Sequence, residues 1–340
     1  MIVPVKSVNR LDLSRFAQNM SYNFWIMDFA VSALIFISAK YGEQARRKST
    51  QPSNNSTENS TTSLKLIVND EKGKETSLLT YLALNFAYFS AMGLLVTVLQ
   101  YQPYAMIVLQ HFAVMLFILV VFSHWFTRSF GYPAGVVFCL IWVTSVQTSY
   151  RWLINNIIIG MFALLASHVH FRNFAFLQIF LWTAFLYDIF LLSRMNKSPQ
   201  LFSVSIFDCS SLLCKLFEMN NTWELPAVFT VRFGHSATHV FLGTGDIIIG
   251  SIISNFSMSF FKSSKCVVTI VASYWLAIGL LSKVDSNRPY PALVSIVPCC
   301  TLALVVCAIL CRKTKSLFSL NQCNEQENSE LHSIETILVL

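Results

Sequence analysis

Two carboxylates stand where a carboxylate is expensive. Asp246 lies inside the apolar run 238–261, and Asp188 is the single charged residue of Phe174–Leu192. Runs of this length can span a bilayer. A charge at that depth costs about 2.5–3.5 kcal/mol on insertion scales, so such residues face a polar interior and mark function. Two carboxyls sharing one site cannot both ionise cheaply. The pair then holds one proton, and an acid and a base coexist. That combination can activate a water and protonate the leaving group of a peptide bond. Two acids in an ion pathway, or hydrogen-bonded to backbone, are the bland alternative.

The neighbours of each acid narrow the chemistry. Tyr187 precedes Asp188, and Gly243-Thr244-Gly245 precedes Asp246. If 238–261 is one helix, Gly243 and Gly250 flank Asp246 on one face. A face without side-chain bulk admits another helix or an extended peptide. Each glycine also weakens a helix by about 1 kcal/mol relative to Ala, which favours local unwinding beside the acid. Pro291-Ala292-Leu293 opens the last apolar run, where proline suits a helix start. Pro298, seven residues on, predicts a kink.

Other polar residues in apolar runs read as structural. Asp28 is placed near the outer end of the first span, as a snorkelling or capping acid. His239 reads as interfacial, and Gln110 and His111 as helix–helix hydrogen-bonding groups. The nine cysteines show no metal spacing, and no zinc, Walker or serine-hydrolase motif occurs. Cys209 and Cys214 share one loop and could pair; Cys311 could carry a lipid.

These residues need a membrane scaffold, and the composition supplies one. Of 340 residues 54% are hydrophobic and 12% charged, against about 25% charged in soluble domains. Nine apolar spans are predicted, at 22–39, 78–99, 104–123, 132–150, 152–168, 174–193, 238–261, 265–282 and 290–311. Spans of this length in lipid are helices, so the fold class is an all-α polytopic membrane protein with about nine transmembrane helices. The first span is read as an uncleaved anchor, because Arg46, Arg47 and Lys48 follow it. The division is a short extracytosolic N-terminus (1–21), a membrane domain (22–311) and a flexible cytosolic tail (312–340). Within the membrane domain, 41–76 reads as a disordered loop, and 174–261 as a catalytic helix pair joined by loop 194–237.

Lys and Arg set the orientation. An N-outside, C-inside arrangement puts 14 of the 24 basic residues on the cytosolic side. The net charge of +7 is therefore a topology signal, and no basic-aromatic patch points to nucleic acid. Sequons at Asn54, Asn55 and Asn59 then fall in the cytosol, unused, while Asn220 falls outside, where a glycan can be added.

Together these motifs resemble the signal peptide peptidase and presenilin class of intramembrane aspartyl proteases. Tyr187-Asp188 resembles the family's Tyr-Asp, Gly243-Thr244-Gly245-Asp246 its Gly-x-Gly-Asp, and Pro291-Ala292-Leu293 its Pro-Ala-Leu. Trp152-Leu-Ile-Asn155-Asn156 resembles a Trp-x-x-Asn-Asn stretch of signal peptide peptidases. The motifs keep the family's order over about residues 78–311. Departures stand at Leu191, where the family often has Trp, at Gly250 in place of Pro, and at Tyr290 in place of Gln.

The resemblance implies a nine-helix fold in which Asp188 and Asp246 are catalytic, with Tyr187, Gly243, Thr244, Gly245, Pro291, Ala292 and Leu293 in support. It implies no metal or cofactor. The substrates would be transmembrane segments of type II membrane proteins or residual signal peptides. The endoplasmic reticulum membrane is the first location expected, ahead of other endomembranes and the plasma membrane, and homo-oligomers stay open. The rival readings are a proton- or cation-coupled transporter, and a weakly active paralogue that binds membrane segments.

Overall fold

The computed structural model describes residues 13–50, 78–99, 103–126, 128–148, 150–169, 171, 173–193, 226, 228–231, 240–281 and 292–319. Among them run α1 (Leu13–Thr50), α2 (Leu78–Leu99), α3 (Pro103–Trp125), α4 (Arg128–Thr144), α5 (Arg151–Ala166) and α6 (Phe174–Ser193). Then follow strands β1 (Val228–Val231) and β2 (Val240–Gly243), and helices α7 (Thr244–Phe261), α8 (Ser264–Leu281), α9 (Leu293–Leu310) and α10 (Thr314–Phe318).

Among the described residues, four helical stretches are long and apolar enough to cross a membrane: Phe24–Ala45, Val108–Trp125, Ser264–Leu281 and Leu293–Leu310. Shorter apolar helices cover Ser129–Thr144, Arg151–Ala166 and Phe174–Ile189. The protein is thus a mainly helical, multi-pass membrane protein; the expected count of nine goes beyond what these lengths establish. Large apolar side chains point outward on several of these helices, as at Phe112, Leu302 and Leu310. In water such a surface would be costly, and in lipid it is the solvated face.

Several expectations are corrected. The run 238–261 is not one helix: Val240–Gly243 is a strand, and α7 starts at Thr244. A short apolar run rich in β-branched and aromatic residues fits either state, and pairing with β1 decides it here. β1 itself falls inside what reads as loop 194–237. Helix α1 continues to Thr50, into the expected loop 41–76, and α10 forms within the expected tail. Helix α9 carries Pro298 in its interior, where the expected kink would fall. The remainder of those loops and tail, with the sequons, Cys209, Cys214, His239, Tyr290 and Pro291, lies outside the described residues.

The core forms where α1 packs on α5, α7 and α8, and α8 packs on α7 and α9. Small residues permit the close approach. A Cβ on Gly42 of α1 would lie 2.7 Å from Asn255 Oδ1 of α7 and 2.8 Å from the Ser167 carbonyl. A Cβ on Gly250 of α7 would lie 2.6 Å from Ile35 Cδ1 of α1. These two contacts advance together along the chain, so α1 and α7 are parallel. Buried hydroxyls and amides tie the same helices: Ser38 donates to the Ala163 carbonyl at 2.8 Å, and Asn255 Nδ2 to the Ser167 carbonyl at 2.6 Å. In lipid such interhelical bonds and small-residue contacts replace the hydrophobic drive.

Helix α6 belongs to a different neighbourhood. It packs on α2 and α9. The Tyr81–Phe176 and Phe89–Tyr187 ring pairs make α2 and α6 parallel. Thr301 of α9 donates to Gln178 Oε1 of α6 at 3.3 Å. α6 meets α7 near its own start, where the Phe174 and Phe256 rings are 6.3 Å apart.

Candidate active site

Asp246 is the third residue of α7, in the helix's first turn. Gly243 is the N-cap, extended at φ −62 and ψ 137, and it is also the last residue of β2. The Gly243 N–H donates to the Asp246 carboxylate. This is the return half of a capping box, in which the side chain at the third position reaches back to the cap N–H. The helix dipole adds its positive end at the same point. A Cβ on Gly243 would lie 2.9 Å from Asp246 Oδ2, so the glycine leaves room for the carboxylate itself.

The other glycines differ in their surroundings. Gly245 is exposed, and a Cβ there would meet nothing within 4 Å. Gly250 is buried against Ile35 and the Tyr274 ring, with 2.7 Å to Tyr274 Cε2. It packs three helices together, and no peptide can pass over it. The shared glycine face expected from a continuous helix does not exist, because Gly243 stands in extended backbone.

Asp188 lies on α6, half-buried, within electrostatic reach of Asp246. Tyr187 turns toward α2, its ring 5.6 Å from Phe89. Thr244 Oγ1 donates to the Pro226 carbonyl at 3.0 Å, which fixes the start of α7 to the approach of β1. Ala292 is the N-cap of α9 and is buried with Leu293 in the cluster that holds Leu242 and Ile247. The described part of the Pro-Ala-Leu stretch therefore packs into the same core as the strand and helix beside Asp246.

A clamp that spacing alone does not reveal holds the strands. Asn156 Nδ2 donates to the Thr230 carbonyl at 2.7 Å, and the Thr230 N–H donates to Asn156 Oδ1 at 3.0 Å. One amide side chain thus mimics a neighbouring strand along β1. Asn155, beside it, accepts from Trp142 Nε1 at 2.9 Å. The Arg151 guanidinium lies 4.5 Å over the Trp142 ring and donates to the Trp142 carbonyl. The Asn-Asn pair looks in two directions: one amide anchors α5 to α4, the other anchors the hairpin to α5.

Asp28 is also not where the sequence suggests. It is fully buried in α1, without a hydrogen-bond partner among the described residues, and does not snorkel. Tyr274 of α8 is fully buried too, within electrostatic reach of both Asp246 and Asp28. A lone tyrosine in an apolar span carries no signal by itself.

Residues 75–324, well over half of the chain, match the family described as signal peptide peptidase. The chain belongs to the signal peptide peptidase family. It is therefore a multi-pass membrane member of a peptidase family, and the matched stretch contains Asp188, Asp246 and the Pro-Ala-Leu run. No curated protein matches the chain.

Proposed function

We propose that this protein is an intramembrane aspartic endopeptidase that cuts transmembrane segments of type II membrane proteins or leftover signal peptides. The observation that carries the reading is the approach of Asp188 and Asp246 from two separate helices, α6 and α7, with a strand ending beside one of them. A carboxyl pair that shares one proton supplies both halves of peptide hydrolysis. One carboxylate takes a proton from water as its oxygen bonds to the scissile carbonyl carbon. The other carboxyl protonates the carbonyl oxygen, giving a diol. As the diol collapses, one of its O–H groups returns a proton to the free carboxylate, the other carboxyl protonates the leaving nitrogen, the C–N bond breaks, and the pair again holds one proton.

Strand β2 favours a particular presentation. A helical substrate hides its peptide bonds, and an extended one exposes them. β2 ends at Gly243, three residues before Asp246, and among the described residues it pairs with β1 alone. An unpaired strand edge is a template for an added strand. A substrate segment laid along β2 would run its backbone past the carboxylate of Asp246. This replaces unwinding of α7 as the route to an exposed bond.

The test is cleavage of a type II membrane peptide by purified protein in detergent, wild type against Asp188→Ala and Asp246→Ala. Both variants are expected to stay folded, lose cleavage, and lose binding of a transition-state-analogue inhibitor of aspartic proteases. Cleavage persisting in either variant at more than a small fraction of wild type rules the reading out. Loss of ion-coupled transport in proteoliposomes, with cleavage absent throughout, would favour the transporter instead.

A further inference from the structure

Two buried polar groups, Asp28 and Tyr274, converge behind Asp246, and the proposed mechanism uses neither. Helix α1 runs antiparallel to α8: Trp25 and Trp275 have ring centroids 5.1 Å apart, and Lys40 Nζ donates to Ser264 Oγ at 2.7 Å. Interpolating between those contacts brings Asp28 level with Tyr274. Helix α1 runs parallel to α7, with Ile35 against Gly250. Asp28 lies two turns before Ile35, and Asp246 one turn before Gly250. Both packing registers therefore bring Asp28, Tyr274 and Asp246 toward one level of the bundle. The Tyr274 ring edge packs at Gly250, and its hydroxyl is within electrostatic reach of both acids.

Burial makes this arrangement unusual. Asp28 and Tyr274 are both fully buried, and neither carboxyl oxygen of Asp28 nor the Tyr274 hydroxyl has a hydrogen-bond partner among the described residues. Buried polar atoms are almost always paired, so three unpaired ones in a single place ask for an explanation. No basic side chain among the described residues faces Asp28. Asp28 also precedes residues 75–324, the stretch that matches the family.

We propose that Tyr274 and Asp28 are positioning residues for Asp246, a hydrogen-bond chain that holds its carboxylate during turnover. This rests on Asp246 being catalytic. In the chain the Tyr274 O–H donates to Asp246, and the Tyr274 oxygen accepts from the carboxylic acid of Asp28. The two bonds give a partner to the Tyr274 hydroxyl and to one carboxyl oxygen of Asp28. A tyrosine whose oxygen accepts a hydrogen bond is a better donor to the next group, since hydrogen-bonded chains polarise one another. No proton need leave the chain, so nothing is consumed in a cycle.

The experiment is kinetic, on the full-length protein in detergent, with Tyr274→Phe, Asp28→Leu, Asp28→Asn and the Tyr274→Phe/Asp28→Leu pair. Tyr274→Phe is expected to lower kcat about ten- to a hundredfold, the size of one hydrogen bond to a charged group, with KM little changed. Asp28→Leu should lower it by a comparable factor. Asp28→Asn retains a donor toward the hydroxyl and should recover more than half of that loss. The pair should be no worse than the poorer single variant, since both remove one chain. If Asp28→Leu does not fold, Tyr274→Phe and Asp28→Asn decide the matter by kcat. Unchanged kcat in these variants overturns the proposal, as do losses that multiply in the pair or track loss of folded protein. Asp246→Ala, run beside them, separates the two readings. Full activity there removes the catalytic assignment itself, whereas a dead Asp246→Ala with unaffected Tyr274→Phe removes only the chain.

Discussion

The Gly243 backbone N–H donates to the carboxylate of Asp246, and the missing side chain of Gly243 is the space that carboxylate occupies. One residue thus ends a strand, caps a helix and seats an acid. Replacing it by even a methyl group moves the acid, since the new Cβ would sit 2.9 Å from Oδ2. Gly243→Ala should cut kcat by about a hundredfold, the scale of an ångström's misplacement in an active site. Gly245→Ala, with open space around its Cβ, should lose less. Equal losses in the two variants would show that the cap does not seat the acid. Inhibitor binding by folded protein is the measurement.

The Asn156 clamp should be as important to β1 as a neighbouring strand. Asn156→Leu removes two hydrogen bonds and leaves the Thr230 backbone unpaired on that side. A loss of about 2–4 kcal/mol is expected from two bonds and the desolvated groups left behind. Thermal unfolding in detergent measures it. Asn156→Asp can still accept from Thr230 N–H but cannot donate, so its loss should be intermediate. A wild-type melting profile for Asn156→Leu would mean that the hairpin is held by other contacts.

Gly250 should behave as a packing residue. Gly250→Ala forces its Cβ within 2.6 Å of Ile35 Cδ1 and 2.7 Å of the Tyr274 ring. Overpacking of this kind costs about 1–3 kcal/mol. Stability and activity should therefore fall together. A stable Gly250→Ala protein with selectively lost substrate binding would restore the substrate-path role that the contacts argue against.

The orientation can be read by glycan mapping. With the N-terminus outside, glycosidase treatment should shift the protein through Asn220 if it is modified, and not through Asn54, Asn55 or Asn59. A glycan on the 54–59 cluster would invert the topology.

The acids were legible because a charge in an apolar run contradicts its surroundings, and two such runs contained one each. The membrane class followed from composition for the same reason. The local geometry at Asp246 was not legible. Periodicity treats Val240–Gly243 and the helix after it as one apolar run, and only long-range pairing with β1 separates them. Gly250 was misread as a consequence, since its role depends on Tyr274 and Ile35, distant in sequence. Asn156 was visible only through a resemblance to other sequences; its partner Thr230 is 74 residues away. Asp28 was visible as a charge, but its depth depends on which helices surround it.

The two acids ride on unlike mountings. Asp246 belongs to the tightly interlocked trio α1, α7 and α8, where glycines and small polar residues leave little play. Asp188 rides on α6, which leans on α2 and α9 and meets α7 at the far end, at Phe174 and Phe256. A tilt of α6 about those two rings would therefore change the distance between the carboxyls. A bilayer that changes thickness tilts its helices. Tilting α6 by a small angle would open or close the gap between the two carboxyls without altering a single residue in it, and lipid composition would then act as a throttle on the proposed cleavage.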